Sequence, residues 1–304
     1  MRYLTLYSEN ASRELAGRAG VLVLNNDMYY QETESCIYPN PLFNPAPLKG
    51  YIIIDGKEYF MKRNYVGENQ PIFEDFFAAF LAKKMGLNCV SYKLLIDDIH
   101  GIIAKVSENF GEHYTLDPIP FTHGKDISVY QLVGKIIELF PPEQGYFVSI
   151  KQMVKDLRKL CCFDFLVSEE DRRGANIAVV IEIVDGKKVV KLSKIYDNEH
   201  TFDPYIDDNK QSYKLNPLKG KYGMVHREIM QTNPAFISLF NKFKSLVDDE
   251  HIDKTLREFE CVYGFGKLFS LANEKEVYEY HVSRVKKSLK RRLEFMQQDW
   301  KEMQ

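Results

Sequence analysis

Near residue 110 this chain changes its hydrophobic period, and that change limits the folds open to it. Before it, short apolar runs end in turn residues, as strands do. Tyr51-Ile52-Ile53-Ile54, Asp55-Gly56 and Lys57 to Lys62 predict a hairpin, because Gly accepts the positive φ of a two-residue turn. Val21 to Leu24 and the stretches near 89–96 and 100–106 read as further strands. One helix lies among them. Phe73, Phe76, Phe77, Phe80 and Leu81 recur at helical spacing, with Pro71 in the first turn and Gly86 at the cap. Residues 38–48 carry four prolines and predict an extended loop.

After the change the pattern is mainly helical. Val129, Leu132, Val133, Ile136, Ile137 and Phe140 share one helix face, stopped by Pro141-Pro142. Ile150, Met153, Val154, Leu157 and Leu160 give another helix running toward Val167, and helices resume near 225–246, 251–262 and 274–303. One hairpin interrupts them, Ile177 to Val184 and Val189 to Tyr196 about a turn at Asp185-Gly186-Lys187-Lys188. Strands first and helices later predict an α+β protein of two lobes, strand-rich over 1–108 and mostly helical over 109–304.

Composition removes several classes of function. Forty-one Lys and Arg against 43 Asp and Glu leave a net charge of −2, which speaks against a nucleic-acid or membrane-surface protein. The last helix does carry Arg284, Lys286, Lys287, Lys290, Arg291 and Arg292, read here as a solvated face. No apolar run approaches the roughly 20 residues of a membrane helix, and the first residues turn polar too soon for a signal peptide. Five cysteines without a CxxC pair predict reduced, mostly buried thiols in a cytoplasmic protein. GxSxG, HExxH and GxxxxGK[ST] are absent, the seven histidines lack metal spacing, and Gly264-Phe265-Gly266 reads as a loop between helices.

The chemistry concentrates in Asp171-Arg172-Arg173-Gly174-Ala175-Asn176 and, one hairpin later, Tyr196-Asp197-Asn198. Two carboxylates and an amide are what phosphoryl transfer requires. One carboxylate orients the attacking hydroxyl and takes its proton, while an amide oxygen and a second carboxylate hold Mg²⁺. Taken singly, Asp171, Asn176 and Asp197 are equally ordinary turn or cap residues. The hairpin gives them weight together. With its turn centred between Gly186 and Lys187, Val184 faces Val189 and Asn176 faces Asp197, at the roughly 4.5–5.5 Å Cβ separation of opposed residues. In the first lobe Lys62 ends a strand and Glu74 follows on the next helix. A strand lysine paired to a helix glutamate can grip the α- and β-phosphates of ATP; an edge-strand lysine and a first-turn carboxylate are the ordinary alternatives.

With these residues in place, the sequence resembles the HipA-like kinases, compact members of the protein-kinase-like fold related to the phosphoinositide 3/4-kinases and similar to the cell-translocating type. Tyr59-Phe60-Met61-Lys62 with Glu74 and Leu81 to Leu87 resembles the lysine strand and following helix. Phe163-Asp164-Phe165-Leu166-Val167 with Asp171-Arg172 to Asn176 resembles the catalytic loop, and Ile195-Tyr196-Asp197 the metal-binding segment. The resemblance implies a bilobal kinase fold and an ATP- and Mg²⁺-dependent Ser/Thr protein kinase. Asp171 would be catalytic, Lys62 and Glu74 would grip the phosphates, and Asn176 and Asp197 would bind Mg²⁺. The backbone of Ile103, Ala104 and Lys105 would meet adenine. Arg173 stands where the family commonly has His, and Asn44 to Gly50, at the place of the phosphate loop, holds one Gly. These departures motivate one alternative, a nucleotide-binding, pseudokinase-like module acting through a regulatory protein partner; the fold the resemblance implies leaves open another, a kinase of lipid or small-molecule hydroxyls.

Overall fold

The computed structural model describes residues 13–24, 31–32, 49–54, 56–63, 70–97, 102–108, 113–116, 129–169, 172, 174–202, 234–271 and 274–302. The proline-rich stretch 38–48 and the expected helical residues 225–233 lie outside them. Strands and helices mix in one α+β chain that divides into two compact units. The first is Met1–Phe77, Val90–Asn109 and Ile252–Ser283; the second is Ala78–Cys89, Phe110–His251 and Arg284–Gln304. Neither is one continuous piece of chain, unlike the lobes expected at 1–108 and 109–304. Among the described residues no helix is long and apolar enough to cross a membrane.

The first unit holds a six-stranded sheet. Its strands are β1 (Val21–Leu24), β2 (Gln31–Glu32), β3 (Lys49–Ile54), β4 (Lys57–Arg63), β5 (Tyr92–Asp97) and β6 (Ile102–Glu108), in the order β1-β5-β6-β4-β3-β2. Ile54 pairs with Lys57, so Asp55-Gly56 is the two-residue turn expected, with Gly56 at φ 72°. Ile54, Tyr59, Met61, Leu95 and Val106 bury one face of this sheet, and Leu22 packs against them. Helix α1 (Gln70–Lys84) opens in this unit. It is buried on every side from Ile72 to Ala82, not along one stripe. A helix closed in all round must bury whatever polar residues it carries, and Glu74 and Asp75 are both within 1% of full burial.

Phe73 and Phe76 enter an aromatic cluster with α5 (Ile252–Tyr263) and α6 (Phe265–Leu271). Phe73 meets Phe259 and Phe265 edge-on at 5.4 and 5.5 Å, and Phe76 meets Tyr263 at 4.9 Å. Such pairs add about 0.5–1.5 kcal/mol each beyond the area they bury. Gly264 alone separates α5 from α6, so Phe265-Gly266 begins a helix where the sequence suggested a loop. Gly264 sits at φ 71°, and a Cβ there would stand 2.5 Å from Leu15. Only glycine meets both conditions. The Glu260 carboxylate then accepts from the first amides of α6, Gly266 N at 2.8 Å and Lys267 N at 3.3 Å, satisfying donors the helix cannot.

The second unit holds a four-stranded sheet in the order β7-β9-β10-β8: β7 (His113–Thr115), β8 (Tyr146–Val148), β9 (Ala178–Val184) and β10 (Lys187–Leu192). Its helices are α2 (Val129–Leu139), α3 (Ile150–Val167), α4 (Pro234–Val247) and the second half of α7 (Lys275–Glu302). Helix α3 packs on α2, α4 and β10 and buries Met153, Val154, Leu157, Leu160 and Phe163.

The β9–β10 hairpin corrects the expected register. Val184 pairs with Lys187, not Val189, and the turn is Asp185-Gly186 at φ 50° and 75°. Two positive φ values are what the tight turn between twisted strands demands, and Asp-Gly supplies them. Lys187-Lys188 therefore belongs to the strand. A slip of two leaves each side chain on its own face. The ladder runs only to Val179 opposite Leu192, so Asn176 is not paired with Asp197.

Candidate active site

Helix α3 delivers the catalytic-loop segment. Ser168 closes it in the left-handed region, φ 57° and ψ 44°, and Glu169 N donates to Asp164 O at 2.8 Å. Arg292 of α7 donates to Ser168 Oγ, 2.6 Å from Nη2 and 3.2 Å from Nε, and lies over the Phe165 ring at 4.6 Å. The loop ends in a single 3₁₀ turn, Gly174–Asn176.

Arg172 is the centre of this region, and its side chain is fully buried. Its Nε lies 3.2 and 3.1 Å from the two carboxylate oxygens of Asp164, and Nη2 lies 3.0 Å from Asp164 Oδ1. Nη2 also donates to Asn198 Oδ1 at 2.6 Å, and Nη1 donates to Asn176 O at 3.1 Å and Tyr196 O at 2.5 Å. Every group that a guanidinium can use as a donor is engaged. Burial alone would lower the Arg172 pKa, but the charges of Asp164 and Glu169 outweigh it and hold the cation. Burial pushes the Asp164 carboxyl up, and Arg172 pulls it back.

The metal-binding segment arrives from the end of β10. Ile195 N donates to Asn88 O at 2.8 Å, and the Cys89 thiol donates to Ile195 O at 3.2 Å. Asp197 takes φ 55°, a conformation uncommon outside glycine. Thr201 Oγ1 donates to Asn198 O at 3.0 Å, and Phe202 N returns to Val167 O at 2.8 Å. One carboxylate oxygen of Asp197 and one of Glu199 lie within 4.8 Å of each other.

The expected site residues are placed as follows. Asn176 is buried and Asp197 is half-buried, and their segments meet through the Asn176 and Tyr196 carbonyls on one nitrogen of Arg172. Asp171 lies outside the described residues. Lys62 lies in β4, registered against Lys105 of β6; its side chain is also outside them. Glu74 is buried in α1, and among the described residues of the first unit a buried ion pair joins β6 to that helix. Lys105 Nζ pairs with the Asp75 carboxylate and stands 4.8 Å from the centre of the Tyr92 ring. Ile103, Ala104 and Lys105 sit inside β6, which is hydrogen-bonded to β4 and β5 on its two edges. Ala104 and Lys105 are registered against β4 on one side and β5 on the other, and Ile103 against Ile96 of β5.

Sequence reasoning missed Arg172, Asp164, Asn198 and Glu199. The signal available for the first pair was an Asp within an otherwise apolar helix end, Cys161 to Val167, followed by two adjacent arginines.

No family model matches the sequence, and no curated protein matches it significantly. Among solved structures it is similar to the Helicobacter pylori proinflammatory kinase CtkA, at 13% identity over 90% of this chain and 94% of that one, with a TM-score of 0.46. It is also similar to the HipA, HipB toxin–antitoxin complex with operator DNA from Shewanella oneidensis MR-1, at 13% identity over 88% of this chain and 73% of that one, with a TM-score of 0.47. At that depth of likeness the residues of this chain, not the matches, carry a functional reading.

Proposed function

We propose that this chain is an ATP- and Mg²⁺-dependent phosphotransferase of the HipA-like type, acting on a Ser or Thr hydroxyl of a protein. The observation that carries the reading is the convergence of the Asn176 and Asp197 segments on Arg172. The Asn176 amide and the Asp197 carboxylate, on segments whose backbones meet at Arg172, are hard-oxygen donors, which suit Mg²⁺. Asn176 and Asp197 would hold the ion, with Glu199 as a further oxygen donor. When bound, Mg²⁺ neutralises charge on the β- and γ-phosphates.

The chain's own residues do the rest. Asp171, next to the anchored Arg172, orients the acceptor hydroxyl and takes its proton. Lys62 supplies the cation for the nucleotide phosphates. Lys105 is held by Asp75, so Lys62 remains the better choice. The charge balance is the only ground for disfavouring nucleic acid as a partner.

Incubation with labelled ATP and Mg²⁺ tests the reading. Phosphate should appear on the protein or on added protein, and Asp171→Asn should abolish it with the circular dichroism unchanged. Undiminished transfer in that variant removes Asp171 from the mechanism. Thermal stabilisation by ATP without transfer would favour the regulatory module that Arg173 and the single-glycine loop suggest. Transfer only to inositol lipid or a small metabolite would give the third reading.

A further inference from the structure

The ladder between β9 and β10 cannot set Asn176 against Asp197, because it ends before either. The last contact is Ser193 N to Ala178 O at 2.8 Å, after which the chain turns away to pair with Asn88 and Cys89. Something else must fix the two segments relative to each other. We propose that Arg172 is the positioning residue of the site, a single guanidinium that takes the place of the missing ladder. The proposal rests on the phosphotransferase reading of Asn176 and Asp197.

The geometry assigns this role to Arg172 in three ways. Its Nη1 holds the carbonyls of Asn176 and Tyr196 together, one from each segment. It also grips Asp197 from both sides, through Tyr196 O before it and Asn198 Oδ1 after it. The residue between those two grips is the one in the left-handed conformation, which persists only where its surroundings determine it. Finally, the fork does not float: Asp164, in the last turn of α3, holds Nε and Nη2. A planar fork with fixed donor directions transmits the orientation of α3 to both segments, and a lysine at 172 would supply charge without those directions.

A merely structural ion pair would affect melting and nothing else, so the test reads metal dependence at a temperature where the variants are folded. Arg172→Lys is the direct variant. Asn198→Ala is the milder one, since it removes one grip and leaves the Asp164 pair whole. Calorimetric titration with ATP, with and without Mg²⁺, should show wild-type affinity strengthened by the ion. Asn198→Ala should lose about tenfold of that strengthening, the scale of one hydrogen bond to a charged group. Its kcat should fall while KM for the acceptor holds. Asn198→Asp keeps the acceptor oxygen and should recover to within about twofold of wild type. If Asn198→Ala and a folded Arg172→Lys both keep the full Mg²⁺ dependence, Arg172 is structural only and the proposal falls. If the wild type itself shows none, the phosphotransferase reading fails and takes the proposal with it.

Discussion

The two units each bury an ion pair, and the pairs are built differently. In the first, Lys105 on β6 meets Asp75 on α1, with Tyr92 beneath the ammonium. That joins one strand to one helix through a point charge. In the second, Arg172 meets Asp164 and spends its remaining donors on Asn176, Tyr196 and Asn198. That joins a helix, a loop and a strand exit through one plane. Removing two charges from water is costly, and a buried pair by itself is weak grounds for stability. The arginine hub also satisfies three oxygens outside its pair.

Variants can break that contrast. The largest effect belongs to Arg172→Met, which strands the Asp164 carboxylate and withdraws a donor from three further oxygens. We expect a loss at or above the ~3–5 kcal/mol of a broken buried pair, read by urea denaturation. Lys105→Met strands Asp75 and should fall within that range. The paired changes sharpen the comparison. Lys105→Met with Asp75→Leu should recover part of that loss, because neither charge of the pair is left without its partner. Arg172→Met with Asp164→Leu should stay about 2 kcal/mol or more below wild type, because the orphaned oxygens remain. Equal recovery in the two doubles would show that the hub is an ordinary ion pair.

Smaller effects follow at the edge of the hub. Arg292→Ala loses the Ser168 hydrogen bonds and the Phe165 ring contact, about 1–2 kcal/mol together. Last are the thiols. Cys89, Cys161 and Cys162 are buried and reduced, and Cys261 is exposed. Burial first, and then the Asp164 charge, push the Cys161 and Cys162 thiols up. In a Cys36→Ser background only Cys261 should react with a thiol reagent before denaturation; rapid labelling of a second thiol would show that α3 opens readily.

What the sequence revealed, and what it hid, follows from the range of each signal. Local patterns were readable: the Phe73-to-Leu81 spacing, the Asp55-Gly56 turn and the Ile150-to-Leu160 face each give the element expected. The hairpin about Asp185-Gly186 was expected, but its register was not, because the lysines after the turn resembled loop residues. Strands β7 and β8, three residues each, are too short to show alternation. In the site, Asn176 and Asp197 could be singled out by residue type. Arg172 could not, since nothing in a charged run tells which arginine turns inward. Glu74 and Asp75 posed the same problem on α1, where complete burial removes the stripe that would tell neighbours apart.

The discontinuity of the first unit bears on how the molecule is made. Arg18 donates to Glu260 O and Gly20 N to Val262 O, and Phe73 rests on Phe259 and Phe265. When a ribosome has finished residue 109, none of those later partners exists. At typical rates of synthesis the stretch through residue 283 takes roughly 10–35 seconds more. Until Phe259, Tyr263 and Phe265 are made, Phe73 and Phe76 lack those rings, and Phe76 has only Tyr92 from the earlier stretch among the contacts described. The start of helix α1 then presents exposed apolar surface, and a ribosome-associated chaperone has its longest opportunity there.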